Sequence, residues 1–186
     1  MREEANIQLL VERVASLGDE QAYRALFRLF YKPLSQFAYS IVKSWESAEE
    51  IASDVFMNIW KHRERLLQVE NLRVYLYVSA KNIALNYLNK QARTQHFSLD
   101  ELSVDIGVSH VTPEQIFISG EMVKRIEAAV NALPPKRKMI FKLIREDGLK
   151  YKEVAQILDI SVNTIDVHMA QALKKISEAI HLSFKK

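Results

Sequence analysis

The sequence predicts an all-α protein: two small helical domains joined by a flexible acidic linker. Three observations predict it. Glycine and proline number only four each in 186 residues, too few for the turns that a hairpin-rich β fold requires. Apolar residues recur at three and four along most of the chain, the period of a helix that buries one face. That pattern stops over residues 96–115, where Asp100, Glu101, Asp105 and Glu114 stand without any Lys or Arg, among Ser98, Ser103, Ser109, Thr112 and Pro113. A stretch so composed reads as a linker. We place it at 94–114, between domains at 1–93 and 115–186.

Four helices are expected in the first domain. The first covers about Ile7 to Leu17, stopped by Gly18. The second runs from about Asp19 to Val42, with Tyr23, Leu26, Phe27, Phe30, Leu34, Phe37, Ala38 and Ile41 as its buried stripe. Pro33 is expected to kink or divide it. The third runs from about Ser47 to His62. Ser47 and Glu50 have the spacing of a capping box. Ile51, Ala52, Val55, Phe56, Ile59 and Trp60 form its apolar face, while Glu50, Asp54 and Asn58 share a polar one at i+4. The helix dipole accounts for part of Glu49 and Glu50, but Asp54 lies too far in for that. The fourth covers about Leu72 to Gln91, after a loop at Arg65–Asn71.

In the second domain, Leu133-Pro134-Pro135 ends one helix and opens the next, with Pro135 at or near the first helical position. Gly148 closes that helix. Tyr151 to Leu158 is a short amphipathic helix, and Asp159-Ile160-Ser161 is a tight turn. Ser161 caps a longer helix from Val162 to about Leu182, with Val162, Ile165, Met169, Ala172, Leu173 and Ile176 apolar. Two helices on a three-residue turn, the second N-capped, have helix-turn-helix geometry. Asn163, Thr164, Asp166, Val167, His168, Ala170 and Gln171 would then face a major groove. Lys136, Arg137, Lys138, Lys150 and Lys152 would lie along the flanking phosphates.

Charge points the same way. The net charge of +3 divides into +2 over 1–95, −4 over 96–115 and +5 over 116–186. Within the first domain, Ser47 to Asp54 holds three acids and no base. Asn71 to Arg93 holds Arg73, Lys81, Lys90 and Arg93 and no acid. The acidic face suits a protein partner and the basic helix a polyanion. That basic helix also carries Tyr75, Tyr77 and Tyr87 with Asn82, Asn86, Asn89 and Gln91. Rings stack on unpaired bases, amides donate to and accept from base edges, and Lys or Arg holds phosphates. Tyr87 is expected to be mostly core. The other rings, with Lys81, Asn82, Asn86, Lys90 and Arg93, form a candidate single-strand site.

Other function classes find little support. No GxGxxG or P-loop can be written around the four glycines. Zero cysteines remove thiol nucleophiles and thiolate metal sites and suit a reducing compartment. His62, His96, His110, His168 and His181 have no ligand spacing. No catalytic residues, metal or cofactor are therefore expected. No apolar run approaches the roughly 18 residues of a membrane span, and MREEANIQLL is too acidic for a signal peptide. A cytoplasmic protein without chemistry of its own is the expectation.

Taken in order, these segments resemble the extracytoplasmic-function (ECF) sigma factors of bacterial RNA polymerase, in the sigma-70 superfamily. Ser47-Ala48-Glu49-Glu50-Ile51-Ala52-Ser53-Asp54-Val55-Phe56 with Trp60 matches the family's acidic clamp-binding helix. Tyr75-Leu76-Tyr77 through Asn82 and Asn86 to Arg93 is similar to its melting and minus-ten helix. Leu133-Pro134-Pro135, Gly148-Leu149, Tyr151-Lys152-Glu153-Val154-Ala155 and Ile160-Ser161-Val162-Asn163-Thr164-Ile165 match its minus-thirty-five domain, in a shape similar to members from the Bacteroidetes. The resemblance implies a sigma region 2 bundle, a linker, and a sigma region 4 helix-turn-helix. It also implies core RNA polymerase, duplex and single-stranded promoter DNA, and an anti-sigma factor as candidate partners. It places Glu49, Glu50 and Asp54 on the polymerase, and Tyr75, Tyr77, Lys81, Asn82, Asn86, Lys90 and Arg93 on the minus-ten element. Lys136, Arg137, Lys138, Lys150, Lys152, Ser161, Asn163, Thr164, Asp166, Val167, His168 and Gln171 fall to the minus-thirty-five element. Three features depart from the family's pattern. Asp159 stands where Gly is usual, Asp166 and Gln171 stand where many members carry bases, and the Arg65–Asn71 loop gives no base preference. A LuxR-like helix-turn-helix activator is the alternative, since Ser161 to His168 fits it too. Such activators pair the motif with a sensing domain, usually α/β, and residues 1–93 show no strand alternation.

Overall fold

The structure is a computed structural model that describes residues 2–91 and 120–181, with side chains over 5–91 and 122–180. All regular structure among these residues is helical: α1 (Arg2–Leu17), α2 (Glu20–Val42), α3 (Trp45–Lys61), a 3-10 segment (Arg63–Gln68), α4 (Leu72–Gln91), α5 (Gly120–Asn131), α6 (Pro135–Arg145), α7 (Tyr151–Leu158) and α8 (Val162–His181). They separate into two compact units, α1–α4 and α5–α8. The expected linker, both its boundaries and Arg93 lie outside the described residues.

In the first unit α2 is the central helix, packed by α3, α4 and α1. Its predicted stripe is the core: Leu26, Phe30, Leu34, Phe37, Ala38 and Ile41 are buried, with Tyr23 and Phe27 half-buried. Asp19 caps it, Oδ1 accepting from the backbone N–H of Gln21 (2.8 Å) and Ala22 (3.1 Å). Gly18 supplies the positive φ of +61° that ends α1. Pro33 does not divide α2, which runs unbroken from Glu20 to Val42. The backbone bond it removes is to the carbonyl of Leu29, a residue 45% exposed to solvent.

α3 also begins earlier than expected. Ser44, not Ser47, is its N-cap, accepting from the Ser47 N–H at 3.3 Å. Ser47 is buried instead. Its hydroxyl lies 2.7 Å from the hydroxyl of Tyr87 on α4 and 3.2 Å from that of Ser44. The predicted apolar face of α3 is buried, apart from Trp60, which is half-buried against Tyr23 at 4.9 Å between rings. The expected 65–71 loop is largely the 3-10 segment, which packs on α1.

In the second unit α8 is packed by α5, α6 and α7. Pro135 is the first residue of α6, and Gly148 takes the φ of +67° beyond its end. α7 ends on Asp159 in the left-handed conformation, φ 56° and ψ 49°, one that Asp tolerates better than most side chains. Ser161 Oγ accepts from the Thr164 N–H at 3.0 Å and starts α8. Ile165, Met169, Ala172 and Ile176 are buried as expected. Val162 and Leu173 are exposed instead: the helix carries a narrower apolar stripe than the sequence offers.

Candidate polymerase and nucleic-acid interfaces

The acidic face of α3 is built by exclusion. Ser47, Ala48, Ile51, Ala52, Val55, Phe56 and Ile59 occupy the buried side, so Glu49, Glu50, Asp54, Met57 and Asn58 remain in solvent. Glu50, Asp54 and Asn58 share one exposed line, one turn apart. Half-buried Tyr31 lies beside it, its hydroxyl 3.4 Å from Ser53 Oγ, and stacks on Phe27 at 4.5 Å. The result is a carboxylate row bordered by aromatic surface on a helix fixed from behind.

On α4 the helical period sorts the candidates. Tyr75, Asn82 and Asn86 are all exposed. Steps of seven and four residues bring them to within about 40° of one another around the axis, and they extend over roughly 16 Å. Lys90 is exposed one turn beyond. Tyr77 corrects the expectation. It is 1% exposed and packs on Phe37 at 5.1 Å. Two residues turn a helix by about 200°, so Tyr75 and Tyr77 cannot share a face, and Tyr77 is a core ring rather than a DNA-facing one. Lys81 is half-buried, away from the Tyr75 line.

Tyr87 has a role that sequence reasoning missed. Its hydroxyl accepts from Gln91 Nε2 at 2.7 Å and meets Ser47 Oγ at 2.7 Å. Ser47 has one proton to share between Tyr87 and Ser44, so one of its two bonds takes its proton from the partner. A hydrogen-bonded relay therefore runs from the cap of α3 to the last turn of α4. It ties the acidic helix to the Tyr/Asn helix. The only sequence signal for it is a Ser–Ser pair at i+3, which looks like capping alone.

In the second unit, Asn163, Asp166, Val167 and Ala170 of α8 are all exposed. Their i, i+3, i+4, i+7 spacing makes them one face. Ser161 and Thr164 pair their hydroxyls at 2.8 Å within the cap, and His168 is half-buried. Arg137 of α6 donates from Nη2 to Gln171 Oε1 of α8. Two candidate DNA contacts thus hold each other across the helix pair. Lys150 and Lys152 are exposed and Lys136 is half-buried. Lys138 is a second correction: it is 2% exposed. An ammonium so placed cannot reach a phosphate without unpacking α6, so it leaves the phosphate set. Its neighbours in the Lys136–Lys138 run stay nearer the surface.

Comparison with known proteins fits these two units. A sequence model of Sigma-70 region 2 matches residues 26–94, and one of Sigma-70, region 4 matches residues 124–176. The chain belongs to the sigma-70 family. Similar curated proteins are the ECF RNA polymerase sigma-E factors of Haemophilus influenzae, 27% identical over 97% of this chain and 98% of that one, and of Escherichia coli, 26% identical over 97% of each. This places the sigma factor in the ECF group. In fold it is similar to CnrH, solved in complex with the cytosolic domain of CnrY (TM-score 0.57, 17% identity, 97% of this chain and 99% of that one). It is also similar to the sigma factor RpoE from Bartonella quintana, solved with the anti-sigma factor NepR (TM-score 0.55, 22% identity, 88% and 98%). The region 2 match falls on the domain where a LuxR-like activator would carry its sensor, and so does not favour that reading. Among the described residues, no helix of this sigma factor is long and apolar enough to cross a membrane.

Proposed function

We propose that this sigma factor docks on core RNA polymerase through Glu49, Glu50 and Asp54. It then opens promoter DNA by capturing unpaired minus-ten bases on the Tyr75–Asn82–Asn86 face, and holds the minus-thirty-five duplex with α7 and α8. One observation carries this reading. A ring and two amides align on one exposed face of α4, a helix without a single acid. Phosphates can approach such a face unopposed, and Lys90 stands beside it. Opening the duplex costs a few kcal/mol per base extruded. Stacking at about 1–3 kcal/mol per base, with amide and phosphate contacts, is of the size that offsets this.

The protein then needs no catalytic group of its own and works in the cytoplasm, where the polymerase is. On this reading region 2 ends near residue 93 and region 4 begins near 115. A linker of about 20 residues reaches about 70 Å when extended, enough to span two turns of duplex at about 34–36 Å each. An anti-sigma factor is the further partner we propose, as found with the Bartonella protein of similar fold. Transcription from a promoter library by purified core polymerase tests the whole reading. With the protein present, a discrete promoter set should fire. An unchanged start-site profile with and without it would refute the reading.

A further inference from the structure

The groove-facing line of α8 has an unusual composition. From Val162 to Leu173 there is no Lys or Arg. The exposed positions Asn163, Asp166, Val167 and Ala170 present an amide, a carboxylate and two apolar side chains. The Arg137 guanidinium of α6 is held by Gln171, one turn beyond Val167 on α8. The commonest specific contact to DNA is Arg or Lys on guanine O6 and N7. This line cannot make it.

The same chemistry says what the line can read. Asn is bidentate to adenine, Asp accepts from the cytosine N4 amino group, and apolar side chains pack on the thymine methyl. Asp166 is the informative member. Its carboxylate is exposed, in the second turn of α8, where recognition helices meet base edges. Phosphates repel it, and its fold does not need it: Ile165 and Met169 supply the packing on either side. Facing a major groove, a carboxylate there gains from a donor on a base edge. We propose that Asp166 is a specificity-determining residue that accepts a hydrogen bond from cytosine N4. Asn163, Val167 and Ala170 then confine the flanking positions to A·T pairs, so that the minus-thirty-five element is not led by side-chain contacts to guanine from α8. This rests on the minus-thirty-five reading of α7 and α8 given above.

The test uses holoenzyme reconstituted from core polymerase and the full chain. Promoter duplexes carry a randomised minus-thirty-five element, and bound DNA is sequenced. Wild type should prefer cytosine at one position of the element, flanked by A·T. D166A should lose that cytosine preference by about fivefold or more, the lower end for a base contact, while the flanking preferences stay. D166R should move the preference to guanine at that position. Thermal melting should show both variants as stable as wild type, since the side chain is exposed. An element selected by wild type without a cytosine preference, or one identical in D166A, would overturn the assignment of Asp166 alone. No selection at the minus-thirty-five position by any variant would overturn the reading of α7 and α8 itself.

Discussion

Tyr75 and Tyr77 stand two residues apart on α4, and their replacement by alanine should have opposite effects. Tyr77 is 1% exposed, with its ring against Phe37. Truncating a fully buried aromatic ring costs about 3–5 kcal/mol, from lost burial plus the cavity left behind. A domain of 60–100 residues loses about 4–8 °C in Tm per kcal/mol, so the region 2 transition should fall by about 12 °C or more. Against a typical stability of about 5–15 kcal/mol, that is a large share. Tyr75 is 40% exposed, and removing an exposed side chain usually changes stability by less than about 0.5 kcal/mol. What Tyr75→Ala should lose is a stacking face worth about 1–3 kcal/mol to an unpaired base, or roughly 5- to 150-fold in promoter opening. Calorimetry of the full chain and open-complex formation with core polymerase separate the two effects. Equal Tm values for the two variants would refute the burial assignment. A destabilised Tyr75→Ala with normal opening would refute the division of roles.

Three further outcomes follow from the same geometry. Charge reversal of Glu50 and Asp54 to lysine should weaken binding to core polymerase, measured by titration, with Tm unchanged because both are exposed; wild-type affinity would remove them from the docking face. Tyr87→Phe leaves buried Ser47 with only Ser44 as hydroxyl partner. It should cost about 1 kcal/mol, the low end for a buried polar group losing a partner, read as a lower denaturation midpoint at unchanged slope. The Asp19 carboxyl is held below the usual carboxylate range by the backbone N–H of Ala22, then by Arg13 and Gln21. A depressed folded pKa stabilises above the unfolded value of about 3.9 and is lost as pH falls through the folded one. Wild type should therefore melt higher than Asp19→Asn at neutral pH, with the gap closing below about pH 4; a gap constant with pH would refute this.

The fold was legible because α2, α3 and α8 each carry a regular apolar stripe. Leu26, Phe30, Leu34, Phe37 and Ile41 were visible as core before any packing was known. The carboxylate line of α3 was legible for the same reason, since the buried face leaves it nowhere else to go. α4 is different. Leu72, Val74, Leu76, Tyr77, Ala80 and Ala84 are buried, a face so wide that apolar spacing alone does not say which tyrosine points out. Helical geometry still forbids Tyr75 and Tyr77 on one side, a constraint that the reading of α4 by composition passed over. Ser47 and Lys138 were illegible for a tertiary reason. Ser44 and Ser47 are both good caps, and the bond that engages Ser47 comes from Tyr87, 40 residues away. Nothing in Lys136-Arg137-Lys138 marks the lysine that packing takes inside. The Arg137–Gln171 contact joins residues 34 apart and has no local signature.

The central claim is that the exposed face of α4 captures unpaired bases without chemistry. The most direct test is open-complex formation by holoenzyme carrying Asn82→Ala with Asn86→Ala, on duplex promoter and on the same promoter with the minus-ten region already unpaired. Both amides are exposed, so polymerase binding and Tm should stay near wild type. Opening of the duplex should fall by about fivefold or more, the size of one lost contact of about 1 kcal/mol, with a smaller loss on the unpaired template. Wild-type opening of the duplex by the double variant would contradict the account.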